Sequence, residues 1–287
     1  WTAFSVFGML PYLISGYITS ITDAFFESMS GFTTTGATIF DDVECLPHGM
    51  LFWRSLTQWI GGLGIVFFTI AVLPSLVGGN MKVFAAEATG PIKSKMHPRL
   101  STTAKWIWSI YSLLTITCIL SFHLAGMGWF DSVCYSMTTN ATGGFAPHNE
   151  SVAYFKSPLI EYIEILFQFL AGINFILLYT AIFKRKWKDM YRNSEFRLYV
   201  AIVTISTIWI SWLLVFRMGY DVEHALRCGL FQVVSFITTT GLFNDDAGQW
   251  PHITWVILGC CMFAGACAGS TSGGFKCVRS IIILKVM

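Results

Sequence analysis

Six apolar stretches of bilayer-crossing length constrain this chain more than any other feature of its sequence. They cover residues 1–19, 55–73, 104–126, 160–183, 198–216 and 252–268. A helix needs roughly 20 mostly apolar residues to cross the hydrocarbon core of a membrane. Only 12% of the residues are charged, whereas a soluble domain carries about 25%. The sequence therefore predicts an all-α integral membrane protein that crosses the bilayer several times.

The segments that join these stretches fall into two sets of opposite charge. Residues 82–105 and 184–197 are rich in lysine and arginine, whereas acidic residues occur at 41–44, 131–150 and 245–246. An excess of Lys and Arg marks cytoplasmic loops, so the acidic segments are predicted to face outward. There they either raise the local concentration of cations or serve as ordinary solvated loops.

A motif of eighteen residues occurs three times. The copies are DAFFESMSGFTTTGATIF (23–40), DSVCYSMTTNATGGFAPH (131–148) and CGLFQVVSFITTTGLFND (228–245). Written above one another without a gap, they bring Gly36, Gly144 and Gly241 into one column. Self-similarity at a fixed period indicates a repeat architecture.

Each copy of the motif lies between two apolar stretches, which divides the chain into three predicted helix–pore loop–helix repeats. These cover 1–80, 81–190 and 191–287. Residues 23–32 would form a helix of about 15 Å, half the hydrocarbon thickness. Non-helical backbone survives at membrane depth only where it is buried in protein or lines a water-filled cavity. The Thr/Gly turns are therefore predicted to line a pore.

The chemistry of these turns favours a cation. The first copy nearly matches a nucleotide-binding loop, but Ala37 replaces the lysine that would reach a phosphate. Carbonyl oxygens presented by glycine-containing backbone can replace the hydration shell of an alkali cation, and helix C-termini carry partial negative charge. Ordinary helix caps are the alternative interpretation. The predicted potassium ligands are Thr34, Thr35, Gly36, Thr142, Gly143, Gly144, Thr239, Thr240 and Gly241.

The segment GACAGSTSGGFK (265–276) interrupts what would otherwise be one long helix. Each glycine in a helix interior costs about 1 kcal/mol relative to alanine, so this segment predicts a loop at membrane depth. Such a loop is either a movable polar plug or a passive kink that helps helices to pack. The candidate gate residues are Gly265, Gly269, Ser270, Thr271, Ser272, Gly273 and Gly274.

Charged residues near the apolar stretches suggest further roles. Arg54 either extends its charge to the membrane surface or pairs with an acid beneath a filter loop. Lys276 either repels cations near the pore axis or marks the cytoplasmic end of a helix. Glu161 and Glu164 are expected at an exposed, interfacial position. The eight cysteines form no C-x-x-C pair, so we expect them to act as small apolar residues without zinc or disulfide roles.

Taken together, these motifs resemble the Trk/Ktr/HKT superfamily of potassium transporters, and most closely its bacterial Trk-type membrane subunits. The matching segments are residues 21–38, 46–65, 141–145, 231–241 and 265–276. The resemblance implies four such repeats around one pseudo-fourfold pore, with one filter glycine from each. Gly36, Gly144 and Gly241 would be three of those four, and the chain is expected to end within the third repeat. Glycine in all three places is similar to the potassium-selective members.

The resemblance also implies a function and partners. We expect potassium uptake through a channel-like pore, driven by the membrane potential and gated by the loop at 265–274. A gated tetramer-type potassium channel and a sodium/potassium symporter are the alternatives. The resemblance implies a homodimer in the bacterial inner membrane, bound to a TrkA-like cytosolic nucleotide-binding regulatory subunit. No cofactor or nucleic-acid partner is expected. Enzymatic activity is not expected either, because H-E-x-x-H, G-x-S-x-G and intramembrane acid pairs are absent from the sequence.

Overall fold

A computed structural model describes residues 1–64 and 100–286, and this part of the chain consists of helices, turns and loops without a strand. Numbered along these residues, the helices are α1 Thr2–Gly8, α2 Leu10–Ile14, α3 Ile21–Phe32, α4 His48–Gly62, α5 Leu100–Leu124, α6 Trp129–Ala141, α7 Pro158–Ala171, α8 Phe175–Ile182, α9 Trp187–Arg192, α10 Ser194–Met218, α11 Val222–Ile237, α12 His252–Ala264 and α13 Cys277–Val286. Single 3-10 turns cover Ser151–Phe155 and Ala247–Gln249. The all-α prediction is confirmed.

Three short helices, α3, α6 and α11, lie at the start of the three sequence motifs. They contain 12, 13 and 16 residues, so at 1.5 Å per residue none is long enough for the roughly 30 Å hydrocarbon core. Each packs against the helices before and after it. In addition, α6 packs against α4, and α11 packs against α7. Each later short helix therefore contacts the helix that follows the preceding motif.

Within the described residues, two helices are each long and apolar enough to cross a membrane, Lys105–Leu124 within α5 and Ser194–Met218. They correspond to the predicted spans 104–126 and 198–216. The predicted span 1–19 is divided into α1 and α2, with a proline in the first turn of α2. The predicted span 252–268 is helical only to Ala264. Of the span predicted at 55–73, the part after residue 64 lies outside the described residues. The predicted boundary between the repeats 1–80 and 81–190 also lies outside them.

The prediction of one continuous helix over 160–183 is wrong, because α7 and α8 meet at a bend of 104°. Asn174 caps α8 by accepting a hydrogen bond from the Ile176 N–H at 2.8 Å. The Gly172 carbonyl accepts from the Cys267 N–H at 3.0 Å, and the Phe175 N–H donates to the Gly269 carbonyl at 3.0 Å. The glycine-rich loop thus supplies the partners that a continuous helix would have supplied itself.

The charge pattern gives a prediction about orientation. Asp41 and Lys186 are both exposed in the structure. In a background in which the exposed Cys45 and Cys260 are replaced by Ser, Asp41→Cys should react with a membrane-impermeant thiol reagent from outside the cell. Lys186→Cys should react only after the cytoplasmic side is opened. The reverse labelling pattern would overturn the orientation inferred from the loop charges.

Candidate functional site

In each of the three sequence motifs the short helix is followed by a turn, and the three turns have the same backbone conformation. We name them turn 1 (34–36), turn 2 (142–144) and turn 3 (239–241). In each turn the first residue and the last residue have positive φ. The values are 55° for Thr34, 53° for Thr142, 57° for Thr239, 77° for Gly36, 86° for Gly144 and 84° for Gly241. A threonine in this left-handed region costs of order 1–3 kcal/mol, so the surrounding structure must hold all three turns in place.

The same hydrogen bond closes the helix before each turn. The middle residue of the turn donates its backbone N–H to a carbonyl five residues earlier in the chain. The pairs are Thr35 with Ser30 at 2.9 Å, Gly143 with Thr138 at 3.0 Å, and Thr240 with Ser235 at 2.8 Å. The gap-free alignment of the three motifs therefore corresponds to three equivalent pieces of structure, down to individual hydrogen bonds.

Neighbouring turns approach each other in a regular order. A Cβ atom added to Gly36 would overlap the carbonyl oxygen of Gly143, and one added to Gly144 would overlap the carbonyl oxygen of Thr240. Gly143 and Thr240 occupy the same column of the alignment. A Cβ at Gly241 would meet nothing within 4 Å. Turn 1 therefore faces turn 2, and turn 2 faces turn 3, through one repeated backbone contact.

Sequence reasoning missed Gln58, a fully buried side chain on α4 that joins turn 2 to the helix that follows the first motif. Its Nε2 donates to the Gly143 carbonyl at 2.8 Å. Its Oε1 accepts from the Thr138 hydroxyl at 2.5 Å and from the Phe145 N–H at 3.1 Å. In turns 1 and 3 a serine bonds within its own motif instead, since Ser30 donates to the Ala37 carbonyl at 2.5 Å and Ser235 to the Leu242 carbonyl at 2.6 Å.

Arg54 pairs with an acid behind turn 1, as one of the two sequence hypotheses held. The acid is Glu27, which sequence reasoning did not identify, and the Arg54 Nε lies 3.0 Å from its Oε1. Both side chains are buried, with 2% and 0% exposure. The other carboxylate oxygen of Glu27 accepts from the Ile39 N–H at 3.0 Å, and the Arg54 Nη2 donates to Thr38 at 3.0 Å. This ion pair therefore holds in place the loop that follows turn 1.

The exposed position expected for Glu161 and Glu164 is wrong, since both are buried on α7. Glu161 accepts from the Arg227 Nε at 3.0 Å. Glu164 accepts from the Thr139 hydroxyl at 2.6 Å and from Gln168 at 2.9 Å. The spacing of these two acids and Gln168 puts them on one face of the helix, and this periodicity is the sequence signal from which their burial could have been predicted.

The glycine-rich loop (265–274) is hydrogen-bonded to turn 3 and to the ends of α6 and α7. The Gly273 N–H donates to the Thr239 hydroxyl at 2.7 Å. The Thr271 hydroxyl donates to the Asn140 carbonyl at 3.0 Å and to the Ala171 carbonyl at 3.3 Å. Within the loop, Gly265, Gly269 and Gly274 have φ of 67°, 78° and 78°. The loop is therefore a bonded part of the site and not a free linker.

Lys276 is buried at the end of this loop, with 4% exposure. Its Nζ donates to the backbone carbonyl of Ser272 and lies 3.2 Å from the Ser272 hydroxyl. Close by, the Glu195 carboxylate accepts from the Ala268 N–H at 2.5 Å. The lysine charge is thus directed into the loop, where it holds the chain beneath turn 3.

The acidic loop at 41–44 is bonded to the segment after turn 2. The Asp42 carboxylate accepts from the Asn149 side chain at 2.7 Å and from the Glu44 N–H at 2.9 Å. These hydrogen bonds, the Asn149 bond above all, hold the pKa of the Asp42 carboxyl below its ordinary value. The acidic charge on this loop therefore persists to lower pH than that of a free aspartate.

Gln58 provides a test of how turn 2 is held. Gln58→Leu keeps a side chain of similar size but leaves the Gly143 carbonyl, the Phe145 N–H and the Thr138 hydroxyl without this partner. Each buried polar group left unsatisfied costs about 1–3 kcal/mol, so we expect a clearly lower midpoint of thermal unfolding in detergent. The control is Gln249→Leu, at an exposed glutamine. Equal stability of the two variants would contradict this account of turn 2.

Comparison with known proteins agrees with this geometry. The sequence model of the TrkH family, described as a cation transport protein, matches residues 1–287. The chain is 42% identical to the Trk system potassium uptake protein TrkH of Salmonella typhimurium, over 99% of the chain and 60% of that protein. It is 39% identical to the Trk system potassium uptake protein TrkG of Escherichia coli K12, over 99% of the chain and 59% of that protein.

A solved structure is similar as well. The crystal structure of the potassium transporter TrkH from Vibrio parahaemolyticus superimposes with a TM-score of 0.84 at 38% identity, covering 99% of this chain and 58% of that one. The chain thus spans about 60% of the length of the relatives it matches. The family comprises transporters and not enzymes. The match over the whole chain, together with three equivalent Thr/Gly turns, shows that this chain belongs to the TrkH family of cation transport proteins.

Proposed function

We propose that this chain forms most of a potassium uptake pathway, with turns 1, 2 and 3 as three sides of its selectivity filter. The observation that carries the proposal is the repeated contact between turns, in which each of the first two glycines lies against a carbonyl of the next turn. The relatives named as potassium uptake proteins support the choice of ion. The predicted repeats 1–80, 81–190 and 191–287 are part of this proposal.

The ligands of the filter would be backbone carbonyls and threonine hydroxyls of the nine residues in turns 1–3. Three short helices end at these turns, and each helix C-terminus carries a partial charge of roughly −0.5. This field favours a cation at the place where the turns meet and disfavours an anion. Carbonyl rings of this kind replace the hydration shell of an alkali ion. Glycine at the third position of turns 1 and 2 is needed because a side chain there would overlap a carbonyl of the next turn.

The glycine-rich loop is proposed as the gate of this pathway. Its hydrogen bonds reach the Thr239 hydroxyl in turn 3 and the Asn140 carbonyl at the end of α6. A small number of such bonds is enough to position the loop and yet can be broken during opening. Breaking them would move polar backbone away from the underside of the filter. A passive kink is the competing interpretation of the same segment.

The membrane potential is the proposed driving force. One positive charge that crosses 100 mV gains about 2.3 kcal/mol, which supports accumulation without nucleotide chemistry in this chain. We further propose a homodimer in the bacterial inner membrane and a TrkA-like cytosolic nucleotide-binding regulatory subunit. A sodium/potassium symporter is the competing function, and flux measured with and without sodium separates the two.

Gly36→Ser tests the filter. The added side chain would overlap the Gly143 carbonyl and adopt a strained left-handed backbone, so the carbonyls of turns 1 and 2 would move apart. We expect selectivity for potassium over sodium to fall about tenfold, which corresponds to about 1.4 kcal/mol between the two ions. The measurement is flux of the intact transporter in liposomes under potassium and sodium gradients.

The matched control for this variant is Gly49→Ser. Gly49 is an exposed glycine on α4 around which a Cβ would meet nothing within 4 Å. It should retain the original selectivity. If Gly36→Ser also retains it, turn 1 is not part of the filter.

Thr271→Val tests the gate. It removes the hydroxyl that bonds Asn140 and Ala171 while keeping the size of the side chain. If the loop is a gate held by such bonds, potassium flux should rise and depend less on the opening partner, with selectivity unchanged. Deletion of residues 269–273 should have the same effect more strongly.

The matched control for the gate is Ser270→Ala, because the Ser270 hydroxyl bonds only within the loop, to Cys267 and Ser272, in the described residues. It should leave flux unaltered. A stable Thr271→Val protein with reduced flux would favour the passive kink. High flux with lost selectivity would mean that the loop supports the filter and that the gate lies elsewhere.

A further inference from the structure

A cluster of three potential metal ligands lies where α11 begins, apart from the turns described above. His224 and Cys228 are four residues apart on α11, and Asp245 follows turn 3. One ligand atom from each of the three residues lies within 4.8 Å of the others. Residues four apart share one face of a helix, so the loop after turn 3 returns to cover that face. The cluster joins the two chain segments on either side of turn 3.

The three side chains are held in place by their neighbours. The Cys228 Sγ lies 3.6 Å from the Nδ1 and 3.8 Å from the Nε2 of His224. The Oδ2 of Asp245 accepts from the Tyr220 hydroxyl at 3.1 Å and from the Trp250 Nε1 at 3.0 Å. The His224 ring also stacks on Tyr220, with centroids 5.0 Å apart. Side chains that hydrogen-bond or pack against metal ligands in this way orient them, and they are a common feature of protein metal sites.

The charges around the cluster favour a cation in spite of a nearby arginine. The Arg227 Nη2 lies 3.1 Å from the His224 Nδ1. That guanidinium is already paired with Glu161 at 3.0 Å and with Glu223 at 2.6 Å. Two carboxylates therefore outweigh its charge, and Asp245 adds a third. A metal ion that takes the imidazole must compete with Arg227 or with a proton, which favours reversible binding over a permanent structural role.

We propose that His224, Cys228 and Asp245 form a binding site for one zinc-class divalent cation. Imidazole nitrogen, thiolate sulfur and carboxylate oxygen are the ligand types of Zn²⁺, and three protein ligands leave one position for water. Ca²⁺ and Mg²⁺ are disfavoured because they require oxygen ligands. The cysteine spacing did not indicate this site, since its partners are a histidine one helical turn away and an aspartate brought close only by the fold.

Occupancy of this site would affect turn 3. Cys228 is the first residue of the third motif and Asp245 is its last, four residues after Gly241. Gln232 already joins the same two segments, with its Nε2 3.3 Å from the Asp245 carbonyl. A metal ion would add a second and stronger link across the turn. Bound zinc should therefore restrict turn 3 and reduce ion flux, a consequence that rests on the proposed function.

Cobalt binding tests the site without any transport measurement. The protein is purified in detergent with the exposed Cys45 replaced by Ser, and Co²⁺ is titrated in and then displaced by Zn²⁺. We expect one Co²⁺ per chain, an absorption spectrum typical of tetrahedral coordination and a thiolate-to-cobalt charge-transfer band. Cys228→Ser should abolish that band. His224→Ala and Asp245→Asn should weaken Zn²⁺ binding by at least about tenfold, because loss even of an outer partner of a metal ligand costs about 10–100-fold in affinity.

Two further variants keep the result interpretable. His252→Ala removes an exposed histidine at the start of α12 and should bind like the parent protein. His224→Cys retains a ligand at that position and should restore binding that His224→Ala loses. An octahedral spectrum without a thiolate band, or equal Zn²⁺ affinity in Cys228→Ser and the parent, would overturn the site.

Transport gives the second measurement. Zn²⁺ added on the side of the acidic loops should inhibit potassium flux in the parent protein and not in His224→Ala. Binding with the expected ligands but without inhibition would refute the effect on turn 3. Absence of potassium flux even without zinc would refute the proposed function and leave the cobalt result standing.

Discussion

The structure depends on one constraint, that backbone polar groups leaving a helix at membrane depth must find partners inside the protein. Unpaired groups in hydrocarbon cost several kcal/mol each, and this chain interrupts its helices at three Thr/Gly turns and at the glycine-rich loop. Each interruption has dedicated partners. Gln58 serves turn 2, Ser30 and Glu27 serve turn 1, and Ser235 serves turn 3. These buried polar side chains therefore hold the non-helical backbone of the turns in place.

Buried charged side chains are likewise paired inside the protein and hold non-helical backbone in place. The Glu27–Arg54 pair is fully enclosed, and removal of one partner from such a pair typically costs 3–5 kcal/mol because it leaves an uncompensated charge. Its carboxylate also receives the Ile39 N–H, so the pair fixes the course of the chain after turn 1. Glu161 and Arg227 form a similar pair close to the segment after turn 3, where Glu161 also accepts from Asn244. Each pair therefore stabilises the loop that follows a turn.

The sequence predicted the features that depend on local pattern and missed those that depend on distant partners. The alignment column of Gly36 predicted a common turn conformation because the residues that form each turn are adjacent in the chain. Hydropathy predicted a continuous helix over 160–183, since it does not register a break that is stabilised by hydrogen bonds from residues almost a hundred positions away. Gln58 escaped notice for the same reason, because its main partner Gly143 is 85 residues distant. The burial of Glu164 could have been predicted from helical periodicity.

The contacts between successive turns are not equivalent, and this difference bears on gating. Gln58 joins α4 directly to turn 2. Gln168 lies on α7 in a sequence, QFLAG, that is similar to the one around Gln58, but its side chain donates to Glu164 instead. Between turns 2 and 3 the glycine-rich loop takes over part of that role, through Thr271 and through its bond to Thr239. Movement of the loop would therefore loosen the connection between the second and third motifs. Turn 1, held by its own ion pair, would keep its position. In the proposed gate, movement of the loop would act first on the side of turns 2 and 3, because the hydrogen bonds of the loop to the motifs in the described residues reach α6 and turn 3.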